Sequence, residues 1–263
     1  MSLRRALIPA ALTLGLAACA TPTLRPLPTD DPRPAALLER WSASVAGRRA
    51  LRGVARLAVD AQRPGAEPLR LRSKQRLVLE RPGRLRVEVQ GFLGTTLAVL
   101  TIDEQRYAWL QTEDRHFESG AAYPGLLRDV IGLDLATRDA IDLILGDPGA
   151  GHPLRVAAAF ELGDGIVRVE LARAEGERVR RSLDLDREAR LRRWAVRDAR
   201  GELRWEARFD DYVAVAGSPV AHRVLLELPS ASAVLALSGV ELNPALDPDI
   251  FRLDPVVSAA EGG

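Results

Sequence analysis

Hydrophobic and polar residues alternate along much of this chain, which is the period-two pattern of a β-strand with one solvent-exposed face. The clearest case is Arg84 to Gln90, where Leu85, Val87 and Val89 alternate with charged or amide side chains. In the segment Leu69 to Leu79, leucines occupy most of the odd positions and basic residues most of the even ones. Similar segments, separated by turn-forming residues, recur to the end of the chain. The pattern predicts about eleven antiparallel strands.

Three segments have helical spacing instead. Residues 35–50 place apolar side chains, including Trp41 and Val45, on one helical face. After the fifth strand, Tyr123 to Gly132 and Thr137 to Gly146 predict two helices that each end near a glycine. A sheet this large must curl, and helices against its concave face would fill it. The predicted fold is mostly β (α+β): a single curled antiparallel sheet with helices on one face.

The N-terminus has the features of a secretory signal, because Arg4 and Arg5 precede an apolar run that ends at Ala18. We assign residues 1–18 to this signal peptide. Leu16 to Cys19 resembles a bacterial lipobox, in which the cysteine sulfur is joined to diacylglycerol and the new N-terminus is acylated. Cys19 is therefore the predicted lipidation site. The alternative is an ordinary signal peptide whose cleavage site includes a cysteine.

Cys19 is followed by Ala20 and Thr21, whereas an aspartate after the cysteine would resemble an inner-membrane retention signal. These residues therefore favour an outer-membrane location facing the periplasm. Residues 19–34 are proline-rich and predict a semi-rigid tether. Residues 35–256 are predicted to form one domain, and residues 257–263 a flexible C-terminal tail.

The composition excludes several classes of protein. With 37 Lys+Arg against 36 Asp+Glu, the chain has no basic surplus to bind nucleic acid. A single cysteine can form neither an internal disulfide nor a cysteine-ligated zinc site. Aromatic residues make up only 5% of a chain that is 47% hydrophobic, so its apolar surfaces are mostly aliphatic.

No catalytic or metal-binding motif is present. The histidines lie far apart and have no second ligand at metal-binding spacing: His116, His152 and His222. The acidic pairs Asp184/Asp186 and Asp210/Asp211 suggest acid–base chemistry, but charges on alternating strands usually form a solvated face. No Gly-x-Ser-x-Gly or phosphate-loop pattern occurs. We expect neither enzymatic activity nor a cofactor.

One turn is unusually apolar. Phe92 and Leu93 stand between Gly91 and Gly94 at the junction of two strands, where turn residues are normally polar. Such side chains either pack into the protein or are exposed and bind an apolar partner. The residues alone leave both alternatives open.

Taken in order, these features resemble the LolB family of outer-membrane lipoprotein receptors, within the LolA/LolB-like superfamily. The resemblance runs from the lipobox and tether through a first strand with Gly53, Ala55 and Leu57 to the apolar turn at Phe92. It continues through the helix pair to Gly146-Asp147-Pro148. Two departures are that Phe92 replaces the family's proline and that the tryptophan before Ile-Leu-Gly is missing.

The resemblance implies an incomplete β-barrel whose concave apolar face, lidded by helices, holds acyl chains of a client lipoprotein. It also implies a LolA-like periplasmic carrier as partner, and a role for Leu93, with Phe92 beside it, in entering the outer membrane. We expect a monomer. The predicted acyl-chain cavity is lined by Leu77, Leu85, Val87 and Val89.

A second function from another class stays open at this point. The same fold would suit an envelope lipoprotein that binds a lipid or glycolipid, or scaffolds a complex, without inserting clients. A third alternative, a lipoprotein hydrolase, has no candidate residue in the sequence.

Overall fold

The computed structural model of the protein describes residues 24–62, 65–151, 154–172 and 178–253. The predicted signal peptide, Cys19, His152 and the predicted tail lie outside the described residues. The strands are β1 (Arg25–Pro26), β2 (Ala50–Ala61), β3 (Leu69–Glu80), β4 (Arg84–Gln90), β5 (Thr96–Asp103), β6 (Arg106–Gln111), β7 (His116–Ala121), β8 (Val156–Leu162), β9 (Ile166–Leu171), β10 (Arg180–Leu185), β11 (Leu191–Arg197), β12 (Leu203–Val215), β13 (Ser218–Leu228) and β14 (Ala231–Leu242). The helices are α1 (Arg33–Val45), α2 (Leu126–Ile131) and α3 (Thr137–Ile144), with short 3₁₀ turns at Phe92–Gly94, Gly163–Gly165 and Pro248–Phe251.

All fourteen strands of the described residues belong to one antiparallel sheet, in the order β1-β8-β9-β10-β11-β12-β13-β14-β2-β3-β4-β5-β6-β7. Pairing of β14 with β2 joins the N-terminal and C-terminal halves of the chain at the middle of the sheet. The edge strands β1 and β7 do not pair with each other, so the sheet is not closed into a barrel. The predicted mostly-β, open fold is confirmed, with more strands than expected.

Two of the additional strands lie at the sheet edges. β7 was missed because its side chains are mostly exposed and polar, so it has no apolar alternation, although it pairs fully with β6. β1 lies within the segment predicted as a tether, where Pro26 is opposite Phe160 of β8. Leu27 N also donates a hydrogen bond to Ala159 O at 2.9 Å. Backbone pairing therefore attaches the end of that segment to the sheet.

The concave face is covered in two parts. α1 lies over the C-terminal half of the sheet, where its buried face includes Leu38 and Trp41. The rings of Trp41 and Trp194 pack with their centroids 5.8 Å apart. α2 and α3 lie over β2 to β6, the N-terminal half, and over the adjoining C-terminal strands β13 and β14, and this part of the face retains open space.

Candidate functional site

An apolar cavity of about 370 Å³ lies between the N-terminal half of the sheet and the pair α2–α3. This volume is within the range of small-molecule binding pockets. The sheet wall includes Leu57, Leu71, Leu77, Leu85, Val87, Val89, Leu100 and Trp109. The helix wall includes Leu127, Val130, Ile131, Leu143 and Ile144.

The four side chains predicted to line a cavity all lie on its sheet wall. Leu77 and Val87 are directly opposite each other on β3 and β4, and Leu85 and Val89 have the same parity as Val87. Residues of one parity point to one face of a sheet, so the alternation in the sequence was enough to place them together.

The resemblance implied a helical lid over the cavity, but no individual helix residue was predicted as part of the site. Val130, Leu143 and Ile144 were recognised in the sequence only as apolar positions of two helices. Their helical spacing shows which face is apolar but not which part of a curled sheet that face covers. Leu226 of β13 and Leu235 of β14 also line the cavity but were not predicted. These strands are far from β3 and β4 in the sequence, and local periodicity does not show which strands are neighbours.

The cavity wall has polar side chains where β4 ends. Gln75 of β3 is opposite Val89, Val89 is opposite Ala98, and Ala98 is opposite Gln111 of β6, so these residues form one row across four strands. Ser73, also on the cavity side of β3, lies beyond this row. The signal in the sequence was two polar residues at odd positions of a segment whose other odd positions are leucine.

The apolar turn follows β4 at this same end, and its two large side chains are exposed. Phe92 is 87% and Leu93 88% accessible. The turn is closed by its own backbone, because Gly91 N donates to Thr95 O at 2.7 Å. Leu93 adopts the left-handed conformation, with φ of 59°. The sequence left open whether these side chains pack inward or are exposed, and in the structure they are exposed.

The outer face of β2 and β3 beside this turn is cationic. Lys74 is opposite Gln90, the last residue of β4, and Arg56 is opposite Lys74 on β2. Like charges directly opposite each other in a sheet are destabilising. Among the described residues, no ion-pair partner is found for any of the four exposed cations Arg56, Arg70, Lys74 and Arg76.

The far end of α3 is attached to the sheet by a buried ion cluster. Arg81, in the β3–β4 turn, donates to Asp142 of α3 at 2.7 Å and to Asp147 at 2.8 Å. Burial raises the pKa of Asp142 to about 6, and this effect outweighs the opposing influence of the Arg81 guanidinium. Burial likewise raises the pKa of Asp147. Arg48 donates to Leu145 O at 2.8 Å and holds the same helix end.

A second pocket is larger, about 470 Å³, but has a different character. It lies between the start of α3 and the β11–β12 turn, and its wall carries charges of both signs. These include Asp134, Asp198, Glu202 and Arg204. Because desolvating charged groups is costly, this pocket is a poor site for a hydrocarbon chain, and the apolar cavity is the better candidate.

Three of the four acidic residues considered for catalysis have ion-pair partners. Asp184 pairs with Arg168 at 2.7 Å, and Asp186 lies 2.8 Å from Arg190. Asp210 lies 3.2 Å from Arg192. His116 begins the edge strand β7, whereas His222 lies on β13 in the interior of the sheet.

Metal-binding clusters and membrane-spanning helices are both absent from the described residues. Within the described part of the chain, no group of three or more His, Cys, Asp or Glu residues is arranged to hold a metal ion. None of the helices within that part is both long enough and apolar enough to cross a membrane.

The comparisons with known proteins bear on the fold. No protein-family model and no curated protein matches the sequence. A DUF1329 family protein from Desulfovibrio piger superposes with a TM-score of 0.55 at 10% identity, over 83% of this chain and 96% of that one. A LolA superfamily protein from Nitrosomonas europaea has a TM-score of 0.55 at 12% identity, over 83% of this chain and 97% of that one. This chain has a LolA-like fold.

The expected LolA/LolB-like architecture is thus confirmed as a fold. At these identities the similarity concerns architecture, and it does not distinguish LolB-like proteins from other members. What the cavity holds has to be argued from its own side chains.

Proposed function

We propose that this protein is an outer-membrane-anchored lipoprotein, LolB-like in function, that accepts lipoproteins from a LolA-like periplasmic carrier and inserts them into the outer membrane. The observation that carries the proposal is the exposed Phe92–Leu93 turn at one end of an apolar cavity. Lipidation of Cys19 would hold the protein at that membrane, and no cofactor is required.

The cavity suits acyl chains for a simple physical reason. Each methylene group removed from water contributes about 0.8 kcal/mol, so a long chain gains several kcal/mol in a wall of leucine and valine. The wall is mostly aliphatic, with Trp109 as an aromatic member. The same chain gains a similar amount in a bilayer, which permits release to the membrane.

The turn suits entry into a membrane. Two large apolar side chains in full contact with water gain free energy when they move into hydrocarbon. The cations Arg56 and Lys74 lie on the outer face beside the turn, where they can approach anionic lipid headgroups while Phe92 and Leu93 enter the bilayer.

Replacing Leu93 with glutamate tests the proposal. Client binding should change less than about twofold, because Leu93 is outside the cavity wall. Transfer of a triacylated lipoprotein from carrier to outer-membrane vesicles should fall about tenfold or more, since a carboxylate costs at least 1.4 kcal/mol in lipid. The fraction of client recovered in floated vesicles measures the transfer.

Val213→Glu is the matched control, because Val213 is also exposed but lies on β12, away from the turn. It should transfer clients like the wild type. Normal delivery by Leu93→Glu would refute the insertase proposal. Native mass spectrometry then separates the alternatives, because a free lipid bound to the purified protein favours lipid binding without insertion.

A further inference from the structure

The polar end of the cavity has no explanation in acyl-chain binding alone. Gln75 is only 5% exposed, and no side-chain hydrogen bond is found for it among the described residues. Ser73 Oγ is buried without a hydrogen-bond partner in the same part of the chain. Buried polar groups without partners are costly, and each one in a native protein calls for a reason.

These groups are ordered along the cavity. The row with Gln75 and Gln111 at its ends is the one nearest the Phe92–Leu93 turn, since Val89 lies in it and β4 ends at the next residue. The next row, two residues or about 7 Å further along, is formed by Leu77, Val87, Leu100 and Trp109. On β3 to β6 the wall therefore changes from a partly polar row to an apolar one, away from the turn. Beside and beyond Ser73, Leu57 and Leu71 also line the cavity.

We propose that the side chain of Gln75 donates a hydrogen bond to an ester carbonyl of a diacylglycerol-type lipid, whose acyl chains extend from there over the apolar rows. Ser73 is a second donor at this end, and Gln111, which is exposed, forms the rim. An ester carbonyl is an acceptor without a proton, so it matches amide and hydroxyl donors that have no partner in the protein.

The proposal rests on the proposed function, because it names the part of the client lipid that the cavity recognises. It also sets the orientation of that lipid: the ester linkages lie at the end of the turn, and the methyl ends of the chains lie toward α3's attachment at Arg81. A ligand bound the other way would bury its carbonyls against leucine and leave Gln75 unpaired.

The test compares two lipids of equal chain length, dipalmitoylglycerol and its dialkyl ether analogue, which lacks the carbonyl groups. The wild type should bind the ester about two- to tenfold more tightly than the ether, the range expected for one net hydrogen bond. The ester preference should decrease in Gln75→Leu and should vanish when Ser73→Ala is added. Gln90→Leu, on the outer face of β4, is the matched control and should keep the preference.

The infrared band of a ¹³C-labelled ester carbonyl gives a second readout. It should move to lower frequency in the wild type and in Gln90→Leu, and this shift should be smaller in Gln75→Leu and absent when Ser73→Ala is added. An unchanged ester preference and band in Gln75→Leu would overturn the assignment of Gln75 while leaving acyl-chain binding intact. Failure of both lipids to bind any of the proteins would overturn the proposed function and this inference with it.

Discussion

Leu93 illustrates how a single residue departs from what its backbone favours. The β8–β9 turn has the same local conformation, with Asp164 at φ 64° and ψ 19° where Leu93 has φ 59° and ψ 19°. Left-handed backbone is tolerated best by Gly, Asn and Asp, and it is unfavourable for a bulky side chain. The turn's geometry therefore does not select leucine, and the exposed side chain gains nothing by burial. The proposed entry of this turn into a membrane would give the exposed leucine a function.

Leu93→Asn should separate stability from delivery. Asparagine tolerates the left-handed region, so the free energy of unfolding should stay equal or rise by up to about 1 kcal/mol, measured by urea denaturation. Membrane delivery should nevertheless fall. Asp164→Leu is the converse variant and should lose about 1 kcal/mol with no effect on delivery; a loss of stability in Leu93→Asn would contradict this account.

At the scale of elements, α3 combines two roles on two faces. Its Leu143 and Ile144 line the cavity, while Asp142 is buried against Arg81 in the β3–β4 turn. A charged pair removed from water stabilises a structure only modestly, because desolvation opposes the attraction between the charges. The pKa of Asp142 is raised because the desolvation effect is larger than the effect of Arg81. The attachment of α3 is therefore sensitive to pH.

The expected pH dependence follows from the pKa of about 6, compared with an ordinary value of 3.8. The folded state holds this proton more tightly than the unfolded chain. The contribution of Asp142 to stability is therefore fully present below about pH 4 and is lost as the pH rises through about 6. Relative to Asp142→Asn, the wild type should lose about 1 to 3 kcal/mol between pH 4 and 7 in urea denaturation. A difference independent of pH would contradict the raised pKa.

The elements also show where pattern reading succeeded. Strands β3 and β4 have one buried and one solvated face, so their residues alternate and their pairing could be predicted. β7 has side chains that are mostly exposed and β1 has only two residues, so neither has a periodic signal. Such edge strands are formed by backbone hydrogen bonds to a neighbour, which every sequence can make.

For the whole molecule, the decisive feature is that one half of the concave face is filled and the other is not. α1 packs Trp41 onto Trp194 over the C-terminal half, whereas α2 and α3 leave space above β3 to β6. Protein interiors are normally packed without such voids. A cavity lined by aliphatic side chains is therefore best explained by a ligand that occupies it.

Filling the cavity should abolish that role without unfolding the protein. Ala140 of α3 lies on the cavity wall and is only partly buried by the protein. In Ala140→Phe, affinity for acyl ligands should fall about tenfold or more, because the phenyl ring would displace roughly two methylene groups of the ligand from the cavity. Thermal stability should be equal or higher. Ala214→Phe, on an exposed part of β12, is the control; unchanged ligand affinity in Ala140→Phe would place the lipid elsewhere.

Local periodicity was sufficient to predict the strands with alternating faces, the two helices that follow β7, and the side chains of β3 and β4 that line the cavity. A period of two assigns each strand residue to a face, and a period of 3.6 does the same for a helix. Three features could be seen only in the folded molecule: the exposure of the Phe92–Leu93 turn, the pairing of β14 with β2, and the row that ends in Gln75 and Gln111. Those features depend on contacts between residues distant in the chain, about which local periodicity carries no information.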